Sequence, residues 1–209
     1  MAAEAAAALV EDASTVGLGT GSTVAYLLPA LAARGLRVRC VATSPRTESA
    51  ARELGIDVRP FEGVARLDIA IDGADQIAPD GWIVKGGGGA HTREKIVAAA
   101  ADRFVVIASS NKAVEVLEAP IPLELLAFGL DATLAELGHT EVRDGDRSPD
   151  GGVIADYHGA VGDPAALSAH FDARPGVVSH GLFPPGMTAD VLIARGDEVE
   201  HRVLAHPSP

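Results

Sequence analysis

The chain has 209 residues, 47% of them apolar, and a formal net charge of −12. That is enough apolar material for one large core, or for a larger and a smaller one. The acidic balance leaves no basic patch for nucleic acid or an anionic membrane, so any bound phosphate has to be held by local geometry against the global field. No stretch is long and apolar enough to span a membrane, and a lone Cys40 excludes a disulfide framework and fits a cytoplasmic setting.

In chain order, MAAEAAAALVEDA reads as an alanine-rich helix. It lacks a basic start and carries Glu4, Glu11 and Asp12, which argues against a signal peptide. Thr15–Leu18 is an apolar strand ending in Gly19-Thr20-Gly21-Ser22, and Thr23–Ala33 has helical spacing that stops near Gly35. Leu36–Ala42 is strand-like and leads through Thr43–Thr47 to a helix over Glu48–Leu54, which ends at Gly55 and closes a βαβ unit. Cys40, inside LRVRCVA, reads as a small buried hydrophobe rather than a nucleophile.

Leu67–Ile71 is a continuous apolar run of the kind buried in a parallel sheet, and it delivers the chain to Asp72. Trp82–Val84 is a short strand, Thr92–Ala101 a helix, and Phe104–Ala108 another buried strand running into Ser109–Lys112. The alternation predicts a parallel sheet with right-handed crossovers. After Pro120 the pattern changes. A helical stretch near Leu123–Leu137 precedes the turn-rich EVRDGDRSPDGG. A strand at Val153–Tyr157, a helix at Pro164–Ala173 capped by Asp163, and strands near Val177–Leu182 and Val191–Ala194 then form a smaller α+β unit. The final HPSP reads as a frayed tail.

Four polar clusters, Gly19–Ser22, Thr43–Thr47, Asp72–Asp75 and Ser109–Lys112, each follow a predicted strand directly. In an open parallel sheet those carboxyl ends face one crevice. GLGTGST departs from the dinucleotide fingerprint because Ser22 stands where the last glycine belongs, and no acidic residue ends the second strand. Thr20, Ser22 and Thr23 beside a helix N-terminus suit one small phosphate, or else form a plain turn.

Asp72 and Asp75, taken alone, read as helix-capping or Asx-turn residues; a metal site is the second reading, against which stand the nearby lysine and the lack of a His or Cys cluster, and Lys112 is either a solvated lysine or a phosphate contact. Arg93 reads as a structural residue on the helix surface. Lys85, placed before four glycines, is a solvated lysine or part of an oxyanion-stabilising set with the glycine amides. Glu94 lies where a first-turn glutamate is stabilised by the helix dipole, with Thr92 as a candidate N-cap. A carboxylate beside a carbonyl-polarising lysine is also what abstraction of a proton α to a carbonyl requires.

GLGTGST, DGAD, KGGGGAHTREK, SSNK and PGVVSHGLF, in that order from about Val16 to Ala194, resemble ribose-5-phosphate isomerase of the A type. The resemblance implies interconversion of ribose 5-phosphate and ribulose 5-phosphate in the non-oxidative pentose phosphate pathway, without metal or organic cofactor. It puts the base on Glu94, proton movement at sugar oxygens on Asp72 and Asp75, and the enediolate contact on Lys85 with Gly86, Gly87 and Gly88. Substrate and phosphate contacts fall on Thr20, Gly21, Ser22, Thr23, Thr43, Ser44, Gly73, Ala74 and Lys112.

The expected fold class is α/β. A Rossmann-like, mostly parallel sheet spans 1–120 and is completed by about 190–209, and a smaller α+β, ferredoxin-like lid or oligomerisation domain spans 121–189. The expected partner is a small sugar phosphate, with no nucleic acid or membrane, and the expected assembly is a homodimer or homotetramer. Departures from the family pattern are Gln76, His91, Ser179, the SPDGG turn at 148–152 and a short N-terminus lacking the family's usual first-helix lysine. A non-catalytic sugar-phosphate sensor is the alternative on the same fold, but this acidic chain has no room for a DNA-binding helix-turn-helix. A related amino-sugar-phosphate deaminase would need a histidine acid–base set, for which only His91 is near, at the wrong place in the pattern.

Overall fold

The computed structural model describes residues 1–145 and 147–204; the HPSP end lies outside the described residues. The first half runs α1 (Ala2–Ala8), β1 (Thr15–Leu18), α2 (Ser22–Ala33), β2 (Arg39–Ala42), α3 (Pro45–Glu53), β3 (Ile69–Gly73), β4 (Gln76–Ile77), β5 (Ile83–Val84), α4 (His91–Ala99) and β6 (Phe104–Ser109). The second half runs β7 (Ile121–Leu125), α5 (Leu130–Leu137), β8 (Thr140–Val142), β9 (Val153–Tyr157), α6 (Pro164–Asp172), β10 (Val177–His180), β11 (Leu182–Phe183), β12 (Asp190–Arg195) and β13 (Glu198–Val203).

A six-stranded sheet has the order β13-β12-β6-β3-β1-β2. Its strands are parallel except β13, which pairs antiparallel with β12. Alternate residues of the buried strands serve opposite faces, as pleating demands. Val105 and Ile107 pack with Val16, Leu27 and Leu31 under α1 and α2, whereas Phe104, Val106 and Ala108 pack with Val97 and Ala98 of α4. Strand order reverses between β1 and β3, and in a doubly wound sheet the crevice outside the carboxyl ends at that point is where ligands bind.

The four-stranded antiparallel sheet β10-β7-β9-β8 carries α5 and α6 and closes its own core around Leu123, Leu125, Ala155 and Phe171. Its β-α-β-β-α-β order is ferredoxin-like. A small antiparallel sheet, β11-β5-β4, joins the two.

Two expectations are corrected. The apolar stretch from Leu123 is not helical at its start. Ile121–Leu125 is a fully buried central strand, and the helix begins only at Leu130, after Gly129 adopts a left-handed φ of 68°. Trp82–Val84 contributes β5 to the joining sheet and not to the parallel one. Beyond β12, the edge strand β13, EVEHRV, lies within the 190–209 stretch and carries no apolar run of its own. Cys40 is buried, and burial pushes its thiol up to about 12, as expected of a packing residue. No helix among the described residues is long and apolar enough to cross a membrane.

Candidate active site

Three elements bring charged side chains together under the switch point. Asp72 is on β3, two residues beyond Ala70 and therefore on the face that packs α4. The buried face of α4 is His91, Glu94, Val97 and Ala98, so the helical period aims Glu94 at that same face. Lys85 leaves the end of β5 and reaches between the two carboxylates. Its Nζ lies 2.9 Å from Asp72 Oδ2 and 3.2 Å from Glu94 Oε2, and it donates to the Gly73 carbonyl at 2.6 Å.

All three side chains are about 3% exposed. Asp72 Oδ1 accepts from the backbone N–H groups of Gly73 (2.7 Å) and Thr20 (3.1 Å). Asp72 Oδ2 and Glu94 Oε2, although at ion-pair distance from the lysine, receive no well-aligned hydrogen bond. They keep acceptor capacity directed into a dry site.

Two buried carboxylates and one ammonium cannot all be neutralised. Burial, reinforced by the Asp72 charge and only partly offset by Lys85, pushes Glu94 up to about 8. Burial also raises Asp72, against the pull of Lys85. For Lys85 burial opposes the charge, but Asp72 and Glu94 together outweigh it and hold the ammonium protonated. An ion pair beside a carboxyl group that titrates near neutrality is an acid–base arrangement.

Glycine is required where the walls touch. A Cβ on Gly19 would stand 1.9 Å from the Asp72 carboxyl group, so the β1 turn exists in this form only because that residue has no side chain. Gly86 has φ 107°, and a Cβ there would sit 2.7 Å from the His91 ring and 2.8 Å from Pro122. Gly87 donates its N–H to Asp75 Oδ2 at 2.7 Å.

The cavity above this floor is lined by Thr20, Gly21, Ser22, Thr23, Gly73, Ala74, Asp75, Lys85, Gly86, Gly87, Gly88, Glu94 and Lys112. Asp72 lies buried beneath it. Thr43 and Ser44 do not line it. Both are buried, and Ser44 caps α3 and bonds Thr20 Oγ1 at 2.8 Å, holding the turn after β1 from behind. A roomier hollow bounded by Leu31, Leu36, Val38 and Leu54 has no such acid–base set. Among the described residues no three His, Cys, Asp or Glu are grouped to hold a metal ion.

Residues whose roles motif reading left open are also placed. Thr92 is not the N-cap of α4. That position is Ala90, and Thr92 Oγ1 donates instead to Glu124 Oε2. Arg93 is structural as expected, pairing with Asp150 of the 148–152 turn at 2.7 Å. Gln76 turns away from the cavity and clamps the backbone of Glu118. His91 is fully buried with no well-aligned hydrogen bond on either ring nitrogen, only a loose approach to the Ser179 backbone, and burial lowers it to about 3, so it is a neutral packing residue behind Gly86. Sequence reading missed Glu124 and Arg143, which come from the smaller sheet and belong to no motif. Glu124 bonds both Thr92 and, at 2.5 Å, Ser148.

Residues 39–198 match the family model for ribose 5-phosphate isomerase A (phosphoriboisomerase A). The chain belongs to the ribose 5-phosphate isomerase A family. Among similar relatives named ribose-5-phosphate isomerase A, that of Haloarcula marismortui is 43% identical over 98% of this chain and 94% of its own. That of a Roseiflexus species is 46% identical over 95% and 92%. The crystal structure of the Neisseria gonorrhoeae isomerase superposes with a TM-score of 0.92 at 30% identity, covering 98% of this chain and 95% of that one. A D-ribose-5-phosphate isomerase in complex with phospho-erythronic acid gives 0.91 at 30% identity, covering 97% and 96%.

Proposed function

We propose that the protein interconverts D-ribose 5-phosphate and D-ribulose 5-phosphate through an enediolate, in the non-oxidative pentose phosphate pathway. The observation that carries this reading is Glu94 Oε2, a buried acceptor with no well-aligned hydrogen bond, 3.2 Å from the Lys85 ammonium. In its ionised form Glu94 takes the proton from C2 of the open-chain aldose. Electron density moves to O1, where Lys85 and the glycine amides hold the developing negative charge. Glu94 returns the proton to C1, and Asp72, with Asp75 above it, moves the hydroxyl proton between O2 and O1. All atoms balance without an added reactant.

The phosphate goes to the other end of the cavity. There the first turn of α2 presents N–H groups with the hydroxyls of Thr20, Ser22 and Thr23, and Lys112 adds a positive charge. Phospho-erythronic acid, the ligand of a homologous structure, joins a phosphate to a carboxylate, the charge pattern of an enediolate sugar phosphate. A sensor that only bound sugar phosphate would gain nothing from burying a carboxyl group at a pKa of about 8.

In this reading the smaller sheet acts as lid and oligomerisation module of a cytoplasmic homodimer or homotetramer. The direct test is formation of ribulose 5-phosphate from ribose 5-phosphate by the purified protein, with and without chelator. Turnover is expected in both. No turnover refutes the assignment, and turnover abolished by chelator refutes the metal-free mechanism.

A further inference from the structure

Arg143, just past β8 of the smaller sheet, reaches the glycine loop of the larger one. Its Nη1 donates to the carbonyl oxygens of both Gly86 and Gly87 at 3.0 Å, while Nε and Nη2 form a two-pronged pair with Asp156 at 2.6 Å. The pair is mostly buried, with side-chain exposures of 24% and 17%. A peptide unit is planar and trans, so its C=O and N–H point in opposite directions. Holding the Gly86 carbonyl therefore turns the Gly87 N–H toward Asp75, which accepts it at 2.7 Å. Holding the Gly87 carbonyl likewise sets the Gly88 N–H on the side away from Arg143, and Gly88 lines the cavity. Glycine backbone has more freedom than any other; the run closes one turn of its own, Gly89 N–H to the Gly86 carbonyl at 3.0 Å, and Arg143 adds a second hold on that carbonyl and one on that of Gly87.

We infer that Arg143, anchored by Asp156, is a positioning residue that fixes two peptides of the glycine loop, keeping the Gly87 amide on Asp75 and leaving the Gly88 amide for the oxyanion contact, and so prepares that contact from the smaller sheet. The inference rests on the isomerase reading. It also gives the smaller sheet a part in the chemistry: the loop is in catalytic order only while that sheet is docked. Charge at the oxyanion develops in the transition state, so loss of aim lowers kcat and leaves ground-state binding nearly intact.

The experiment compares wild type, R143A and D156N, each corrected for folded fraction at a temperature well below its melting point. For R143A, kcat on ribose 5-phosphate is expected to fall about ten- to hundredfold, short of the loss of a whole oxyanion donor, with KM within about threefold. Affinity for phospho-erythronic acid is expected to fall with kcat, and D156N to shift both in the same direction by less. An unchanged kcat per folded enzyme, or a raised KM with kcat kept, overturns the inference. If R143A does not fold, D156N is read by the same criteria. An inactive wild type would refute the isomerase reading instead, whereas an active wild type matched by its variants refutes only the role of Arg143.

Discussion

Oε2 of Glu94 lies 3.2 Å from Nζ of Lys85, and both side chains are 3% exposed. With Asp72 on the far side of the same ammonium at 2.9 Å, one cation serves two carboxylates. Burial first, and then the Asp72 charge, push Glu94 up to about 8, and the cost of that arrangement should be measurable in several ways.

The pH dependence follows directly. The free enzyme's kcat/KM should rise as Glu94 loses its proton and level off above about pH 8. Stability should move the other way. The folded pKa is raised from 4.5, so the contribution is full below about 4.5 and is lost as pH rises through 8. The difference in unfolding free energy between wild type and E94Q, followed by urea titration from pH 5 to 9, should shrink and then favour E94Q.

Removing the shared cation should be costly. K85M leaves two buried carboxylates facing each other and is expected to lose about 3 kcal/mol of stability, along with at least a hundredfold in turnover. Adding E94Q to K85M should restore part of the stability but no activity, a coupling that a double-mutant cycle measures.

Gly19 should not tolerate even a methyl group. G19A places a Cβ 1.9 Å from the Asp72 carboxyl group, so Asp72 must leave its N–H partners on Thr20 and Gly73. The expected cost is about 2 kcal/mol in unfolding free energy and a fall in kcat larger than any rise in KM.

His91 should be replaceable. Its buried nitrogens make no well-aligned hydrogen bond, so H91L is expected to be neutral or to stabilise by about 1 kcal/mol. Because the folded pKa is lowered from 6.5 to about 3, the histidine's contribution is present above 6.5 and is lost as pH falls below it. The melting temperature of H91L should therefore decline less than that of wild type between pH 7 and 5.

Much of this site is legible in sequence because its parts are contiguous strand ends. β1 appears over the residues where Thr15–Leu18 alone predicts it, and DGAD and KGGGG carry the cavity's walls and Asp72 beneath it. Reading fails where tertiary context decides. Ile121–Leu125 is apolar enough for a helix or a strand, and only its place between β9 and β10 makes it a strand. Thr92 has the chemistry of a cap but is taken by Glu124, whose own burial no local pattern announces. Arg143 is one charged residue in a turn-rich run, and its reach to Gly86 crosses 57 residues of sequence.

The central claim is that Glu94 carries the proton between C2 and C1. It is tested most directly by the rate at which deuterium from D2O appears at C1 of ribulose 5-phosphate formed from ribose 5-phosphate. Wild type should form product at its full rate, with label entering to the extent that the proton held on Glu94 exchanges with solvent before it is returned to C1. E94Q should form product and incorporate label about a thousandfold more slowly while still binding phospho-erythronic acid. An E94Q variant that forms product within a few-fold of the wild-type rate would contradict the account.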